Sequence, residues 1–451
     1  MSFFIRKSNR ESGVKRKKGT KNQKSNKIKR KEKSKPDDLI SSDDDLSGID
    51  DYTQGFSSEE ETEQEKKLRL TKKYLQQIEE EELAKNETED ARGAVSQRLK
   101  DEALEEAGRL QKKKAHEYED TVSDVLCVLR GHKLSVTCLA VSQTEKFLIS
   151  ASKDGSIIKW SIEEKKKIKT IPGGKKGSEG YIGHTDQVLA ISLSTDDKFL
   201  ATGGRDKIIN IWNPDTMERI HTFRGHKDAI TGLVFQKGSH QLISASSDRS
   251  LKLWTLDEMG YIETLFGHQD AITDIDCFFT ETALTAGARD NTVRIWKIVE
   301  ESQLVFQANG ASIDCVCVSS YQSFVSGGDD GSLLFWGIHK KKPMFKVPFA
   351  HGCDPESEEP NWITSLCALQ NTDLVASGSN DGYIRLWKRD DENHSLIQVS
   401  EIKMEGFVNS LRFTPSGKYL VAAVGQEHRL GRWRRIKPAK NCVVIYCWNK
   451  S

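Results

Sequence analysis

Seven tryptophans set at a near-regular interval limit what this chain can fold into more than any other feature. Trp160, Trp212, Trp254, Trp296, Trp336, Trp387 and Trp433 recur at steps of 52, 42, 42, 40, 51 and 46 residues. Six positions before each stands an acid: Asp154, Asp206, Asp248, Asp290, Asp330, Asp381 and, in the seventh unit, Glu427. A constant 22 residues ahead of the first four acids come the histidines of Gly131-His132, Gly183-His184, Gly225-His226 and Gly267-His268. The sixth unit keeps Ala350-His351, and the fifth and seventh have no such histidine. A period of this length means an array of supersecondary units, and it takes precedence over any local reading.

Between these landmarks lie short β-rich runs, such as 135–141, 147–151 and 157–160, separated by turn residues. Each unit therefore reads as three strands plus one more ahead of the next Gly-His. A four-stranded sheet of this size cannot bury its faces alone, and stacking the units in a ring avoids long exposed edges. In its Gly-His pairs, turn acids and tryptophans the chain resembles the WD40 family over about 325 residues, which implies an all-β, seven-bladed β-propeller. Two segments compete for the outer strand of the last blade, 124–130 and 442–448. The strand ahead of a Gly-His belongs to the preceding blade in that family, so 124–130 is the expected closing strand and 442–448 an addition or cap.

His132, Ser150 and Asp154 look like a nucleophilic triad, and the pattern returns as His184, Thr202, Asp206 and as His226, Ser244, Asp248. Repetition argues against catalysis, because an active site occurs once whereas a network satisfying buried polar groups is needed in every blade. Histidines spread one per blade do not make a metal site, and Cys315 with Cys317 has no second ligand pair nearby. No phosphate-binding glycine motif sits between a strand and a helix. No catalytic residue, metal or cofactor is expected.

The seventh unit breaks its own template. The run 425–437 (GQEHRLGRWRRIK) replaces the usual Asp-Gly turn and strand, and 429–440 holds six bases and no acid. Like charges at that density repel one another unless an anion neutralises them, which makes Gln426, His428, Arg429, Arg432, Arg434, Arg435 and Lys437 candidate RNA-binding residues. Read as a strand, the run puts Arg432 and Arg434 on one face and Arg435 and Lys437 on the other. Lys175 and Lys176, in the glycine-rich connection into the second unit, are further candidates for an RNA contact.

Residues 1–35 carry fifteen bases against two acids, 36–65 twelve acids and no base, and 66–122 thirteen bases against fourteen acids, so the net charge of +1 is a cancellation. The sequence divides into a basic-then-acidic disordered tail over 1–65, a charged helical extension over 66–122 and the propeller over 123–451. The clusters Lys15, Arg16, Lys17, Lys18 and Lys29, Arg30, Lys31 are of the kind read by nuclear import. Leu68, Leu75 and Ile78, with Tyr74, fall near helical spacing, and Leu99, Leu104 and Leu110 follow in a second run. Nine scattered cysteines without a C-x-x-C pair, and the lack of a long apolar stretch, point to a soluble protein of a reducing compartment, with no membrane partner.

The blocks 64–78 (QEKKLRLTKKYLQQI), 263–271 (ETLFGHQDA), 371–375 (NTDLV) and the altered seventh unit resemble the WD40-repeat U3 small nucleolar RNA-interacting proteins of eukaryotes, over residues 64 to about 440. The resemblance implies an RNA-binding subunit of the U3 box C/D ribonucleoprotein that recognises the box B/C region together with the kink-turn-binding protein. Its implied partners are U3 RNA, the box C/D core proteins and the small-subunit processome, its place the nucleolus, and its work ribosomal RNA processing without catalysis. The rival from another class is a protein-binding scaffold such as a ubiquitin-ligase substrate receptor.

Overall fold

The computed structural model describes residues 63–85, 91–106, 111–118, 122–174, 182–278, 282–308, 310–354, 358–390 and 393–449. The chain divides into units at 1–74 and 75–451. Helix α1 is Glu63–Lys85 and helix α2 Ala91–Glu106, with Leu68 and Tyr74 exposed and Ile78 and Val95 buried. No described helix is long and apolar enough to cross a membrane.

Seven four-stranded antiparallel sheets make up the rest. In the first blade the order from the centre outwards is Val136–Val141, Phe147–Ser152, Ile157–Ser161 and Lys166–Ile171. Its second strand (FLISAS) is buried throughout, whereas its outer strand (KKIKTI) is exposed at five of six positions. The gradient follows from the architecture: inner strands are covered by neighbouring blades on both faces and so read as continuous apolar runs, while outer strands meet water. Neighbouring blades are also clasped near the axis. Thr137, Thr231, Thr273 and Thr364 each donate a hydroxyl hydrogen bond to the inner-strand carbonyl of the following blade, at 2.6 to 2.7 Å on Val188, Ile272, Ile313 and Val408. Between the last blade and the first, the amide of Asn409 does the same on Val136 at 2.8 Å.

The seventh blade departs from the sequence reading. From the centre outwards its strands are Phe407–Phe413, Tyr419–Gly425, Cys442–Asn449 and Val122–Leu129. The N-terminal strand is the outer one, as expected, pairing from Val122 on Asn449 to Leu129 on Val443. The C-terminal strand is no cap, however, but the third strand of the blade. Trp433 does not occupy the third-strand tryptophan position; Tyr446 does, opposite Leu420 as Trp160 is opposite Leu148. The expected strand 429–437 is instead part of a loop between the second and third strands. The six-residue spacing from Glu427 to Trp433 imitates the repeat by coincidence, and a run with five cationic residues in nine could not replace the buried run Cys442–Tyr446 inside a blade.

A short segment ahead of the first strand straps onto blades six and seven. The backbone N–H groups of Lys114 and Ala115 donate to the Asp373 carboxylate at 2.8 and 2.9 Å, and that of Lys112 to the Asn371 carbonyl at 2.8 Å. Tyr118 donates to the Gly417 carbonyl at 3.1 Å and meets Trp448 edge-on at 4.9 Å. The distinctive block 371–375 is therefore a docking point for the chain's own strap.

Candidate nucleic-acid interface

The repeated triads are structural. In blades two, three, four and six the histidine contacts the turn aspartate through Nδ1 at 2.7 to 2.9 Å and a Ser or Thr hydroxyl through Nε2 at 2.7 to 2.8 Å. The same hydroxyl accepts the indole N–H of the blade's tryptophan at 2.8 to 2.9 Å, in those blades and in the first and fifth. One donor sequence satisfies every atom: indole to hydroxyl, hydroxyl to Nε2, and Nδ1–H to carboxylate. In blade one Ser156 takes the place of the aspartate on His132, whose pKa burial lowers to about 4. Hydrogen bonds to Asp248, first among them that from His226, hold its carboxyl well below the usual range against the opposing effect of burial. Ser150, Thr202, Ser244, Thr285 and Ser377 are fully buried, so no substrate reaches them. The seventh blade has lost the arrangement: Ala422 stands at the hydroxyl position, and the Tyr446 hydroxyl is buried without a partner among the described residues.

The loop between Gly425 and Cys442 carries all seven candidate residues of that unit, and the structure assigns them different roles. Gln426 is a staple, with its N–H on the Asn441 side chain at 3.0 Å, its amide on the Ala439 carbonyl at 2.8 Å and its carbonyl accepting from the Ile436 N–H at 2.9 Å. His428 is buried among Trp362, Phe407 and Trp433, with ring centroids at 6.1, 6.2 and 5.8 Å. Burial, then the cations of Arg429 and Lys153, lower its pKa to about 3, so it stays neutral. Arg429 turns inward across the central channel, donating to the carbonyls of Thr273 in blade four at 3.3 Å and Asp314 in blade five at 3.1 Å. There it partly offsets the burial that raises Asp274 and pushes Asp314 up to about 6.

Only Arg432, Arg434, Arg435 and Lys437 of the seven face solvent. Arg432 lies 3.1 Å from Glu427 and Arg435 4.0 Å from the same carboxylate, which also meets the buried Lys153 at 3.6 Å. Arg434 pairs at 2.6 Å with Asp354, in the connection between blades five and six. Three exposed arginines thus take up the two carboxylates of Glu427 and Asp354, and with the exposed Lys437 and Lys440 beside them the surplus is positive. Lys153 also donates to the Gly431 carbonyl at 2.9 Å, fixing the loop to blade one. Trp433, Trp362 and Asp354 complete the site and were not legible in advance. Trp362 stood off the repeat, and Trp433 was hidden by standing on it. Lys175 and Lys176 lie outside the described residues, as do Lys15, Arg16, Lys17, Lys18, Lys29, Arg30 and Lys31.

The WD domain, G-beta repeat family matches residues 260–297, 300–337 and 356–388, and a model described as the WD repeat-containing protein 75 second beta-propeller matches 66–259. The human U3 small nucleolar RNA-interacting protein 2 is 52% identical over 390 residues, covering 86% of this chain and 82% of that protein. This chain belongs to that family. A plant relative, the Arabidopsis thaliana U3 snoRNP-associated protein-like EMB2271, is 33% identical over 410 residues, covering 86% of this chain and 85% of its own. Among solved structures, the crystal structure of RRP9 WD40 repeats superposes with a TM-score of 0.70 at 48% identity, covering 73% of this chain and all of that one. The structure of U3-55K gives 0.68 at 50% identity, covering 71% and 98%. Membership of this family agrees with the sequence resemblance and with the seven-bladed fold.

Proposed function

We propose that this chain is the RNA-binding WD40 subunit of a U3 box C/D small nucleolar ribonucleoprotein, engaging the box B/C region with the kink-turn-binding protein and acting in small-subunit ribosomal RNA processing within the processome. The observation that carries this reading is the 52% identity to a U3 small nucleolar RNA-interacting protein over most of both chains. The ordered, net-positive loop of the seventh blade supports it, since fixed cations facing solvent suit a phosphate backbone, and a preformed loop has less ordering entropy to lose on binding. The subunit works by binding, not by chemistry, and resides in the nucleolus of the nucleus, with the clusters 15–18 and 29–31 serving import. The helical part of the extension, 66–106, is a docking segment for other proteins of the particle, and 1–65 a charged tail.

Tagged protein recovered from a nuclear extract should bring down U3 RNA and retain it through a high-salt wash in company with the box C/D core proteins. Recovery of ubiquitin-ligase subunits with no enrichment of any small RNA would replace this reading with that of a protein scaffold.

A further inference from the structure

Six of the seven evenly spaced tryptophans are buried and tied to a hydroxyl, but the seventh is put to another use. Trp433 is 68% exposed, on a loop whose backbone is held at both ends and in the middle. Its indole lies against Gly431, where a β-carbon would come within 2.8 Å of three ring atoms. Trp362 meets it edge-on at 6.1 Å, and His428 tilts against it at 5.8 Å. An aromatic ring of this size left in water forgoes the burial that keeps tryptophan inside, and here three neighbours hold it in one pose while leaving it open. Around it stand Arg432, Arg434, Arg435 and Lys437, all exposed, against two carboxylates already engaged by arginines. Cations around a rigid exposed ring form the pattern that receives a single-stranded nucleic acid, with phosphates on the bases and a base on the aromatic face.

We propose that Trp433 is a stacking platform for one unpaired base of the bound RNA, with Gly431, His428 and Trp362 as the positioning residues that hold the indole. The proposal rests on the RNA-binding function above and deepens it. Its occupant is an unstacked nucleobase flanked by phosphates. Gly431 is glycine because the indole fills the space a side chain would need. The neutral His428 adds no charge beneath the ring.

The test uses the full chain and U3 RNA containing the box B/C region, alone and pre-bound by the kink-turn-binding protein, with 2-aminopurine substituted at each unpaired position in turn. Wild-type protein should quench one position strongly. Trp433→Ala should abolish that quench and weaken binding about 5- to 150-fold, the range for losing one stacked base, with the salt slope unchanged because no phosphate contact is lost. Trp433→Phe should restore part of both, and Gly431→Ala should behave as Trp433→Ala while unfolding at the wild-type midpoint. Unaltered affinity, persistent quenching in Trp433→Ala, or a slope reduced along with the affinity would overturn the platform and leave the RNA-binding function standing. Failure of the wild type to prefer U3 RNA over a scrambled RNA of equal length, in both formats, would remove the function itself and the platform with it.

Discussion

Trp254 and Trp433 occupy equivalent places in the sequence repeat, yet the structure gives them opposite weights in stability. Trp254 is 3% exposed, donates to Ser244 at 2.9 Å and stacks on Phe223 with centroids 4.8 Å apart. Trp254→Ala removes a large buried side chain and leaves the Ser244–His226–Asp248 network without its donor, so a cost of about 3 to 5 kcal/mol is expected. Trp433 is 68% exposed and rests against Gly431, Trp362 and His428, and its replacement by Ala should cost less than about 1 kcal/mol. Urea unfolding followed by far-UV circular dichroism separates the two. With a slope of about 3 kcal/mol/M, the Trp254 variant loses roughly 1 to 1.7 M in midpoint and the Trp433 variant less than about 0.3 M. Equal losses would mean that Trp433 is packed inside a blade and that 429–437 is a strand after all, refuting the assignment of Cys442–Asn449 as the third strand.

Three further outcomes follow from the same geometry. Replacing Arg432 and Arg434 together by Ala should lower the slope of log affinity for U3 RNA against log salt by up to about two units, whereas Lys340→Ala with Lys341→Ala should change it little; equal slopes would exclude both arginines from phosphate contact. Tyr446→Phe should leave stability unchanged or raise it by about 1 kcal/mol, because it removes a buried hydroxyl with no partner among the described residues, and a clear loss in urea unfolding would show that the hydroxyl is satisfied. His240 meets Asp257 at 2.6 Å and Asp196 at 3.0 Å, so its pKa is raised by the hydrogen bonds its ring donates, that to Asp257 foremost. Its contribution is full below the ordinary histidine value and fades as pH rises through the raised one. Half-buried and paired with an exposed Asp257, it is worth under about 1 kcal/mol; the difference in unfolding midpoint between wild type and His240→Ala should shrink from pH 6 to pH 9, and a constant difference would count against the bridge.

Much of the fold was legible in the residues themselves, and so was the recurrence of the triads from blade to blade. The triads illustrate why: a hydroxyl between an indole and an imidazole must recur in every blade that buries those groups, so the motif is local chemistry repeated and can be read by counting. Asp373 shows a partial case, because the block 371–375 stood out from the repeat without revealing that its carboxylate receives two N–H groups from the strap at 114–115.

The seventh blade was decided elsewhere. Which of Trp433 and Tyr446 enters the blade depends on covering both faces of a strand, and only the run Cys442–Asn449 presents apolar residues to the sixth and first blades and to the N-terminal strand at once. A charged run with repeat-like spacing satisfies the count without satisfying the burial. The residues themselves determined how many sheets would stack and that a positive segment would break the pattern. Tertiary structure alone set that segment outside the ring, turned Arg429 into the channel, neutralised His428 by burial and left Trp433 in the open, because each of these outcomes depends on groups more than 50 residues away that meet only when the ring closes.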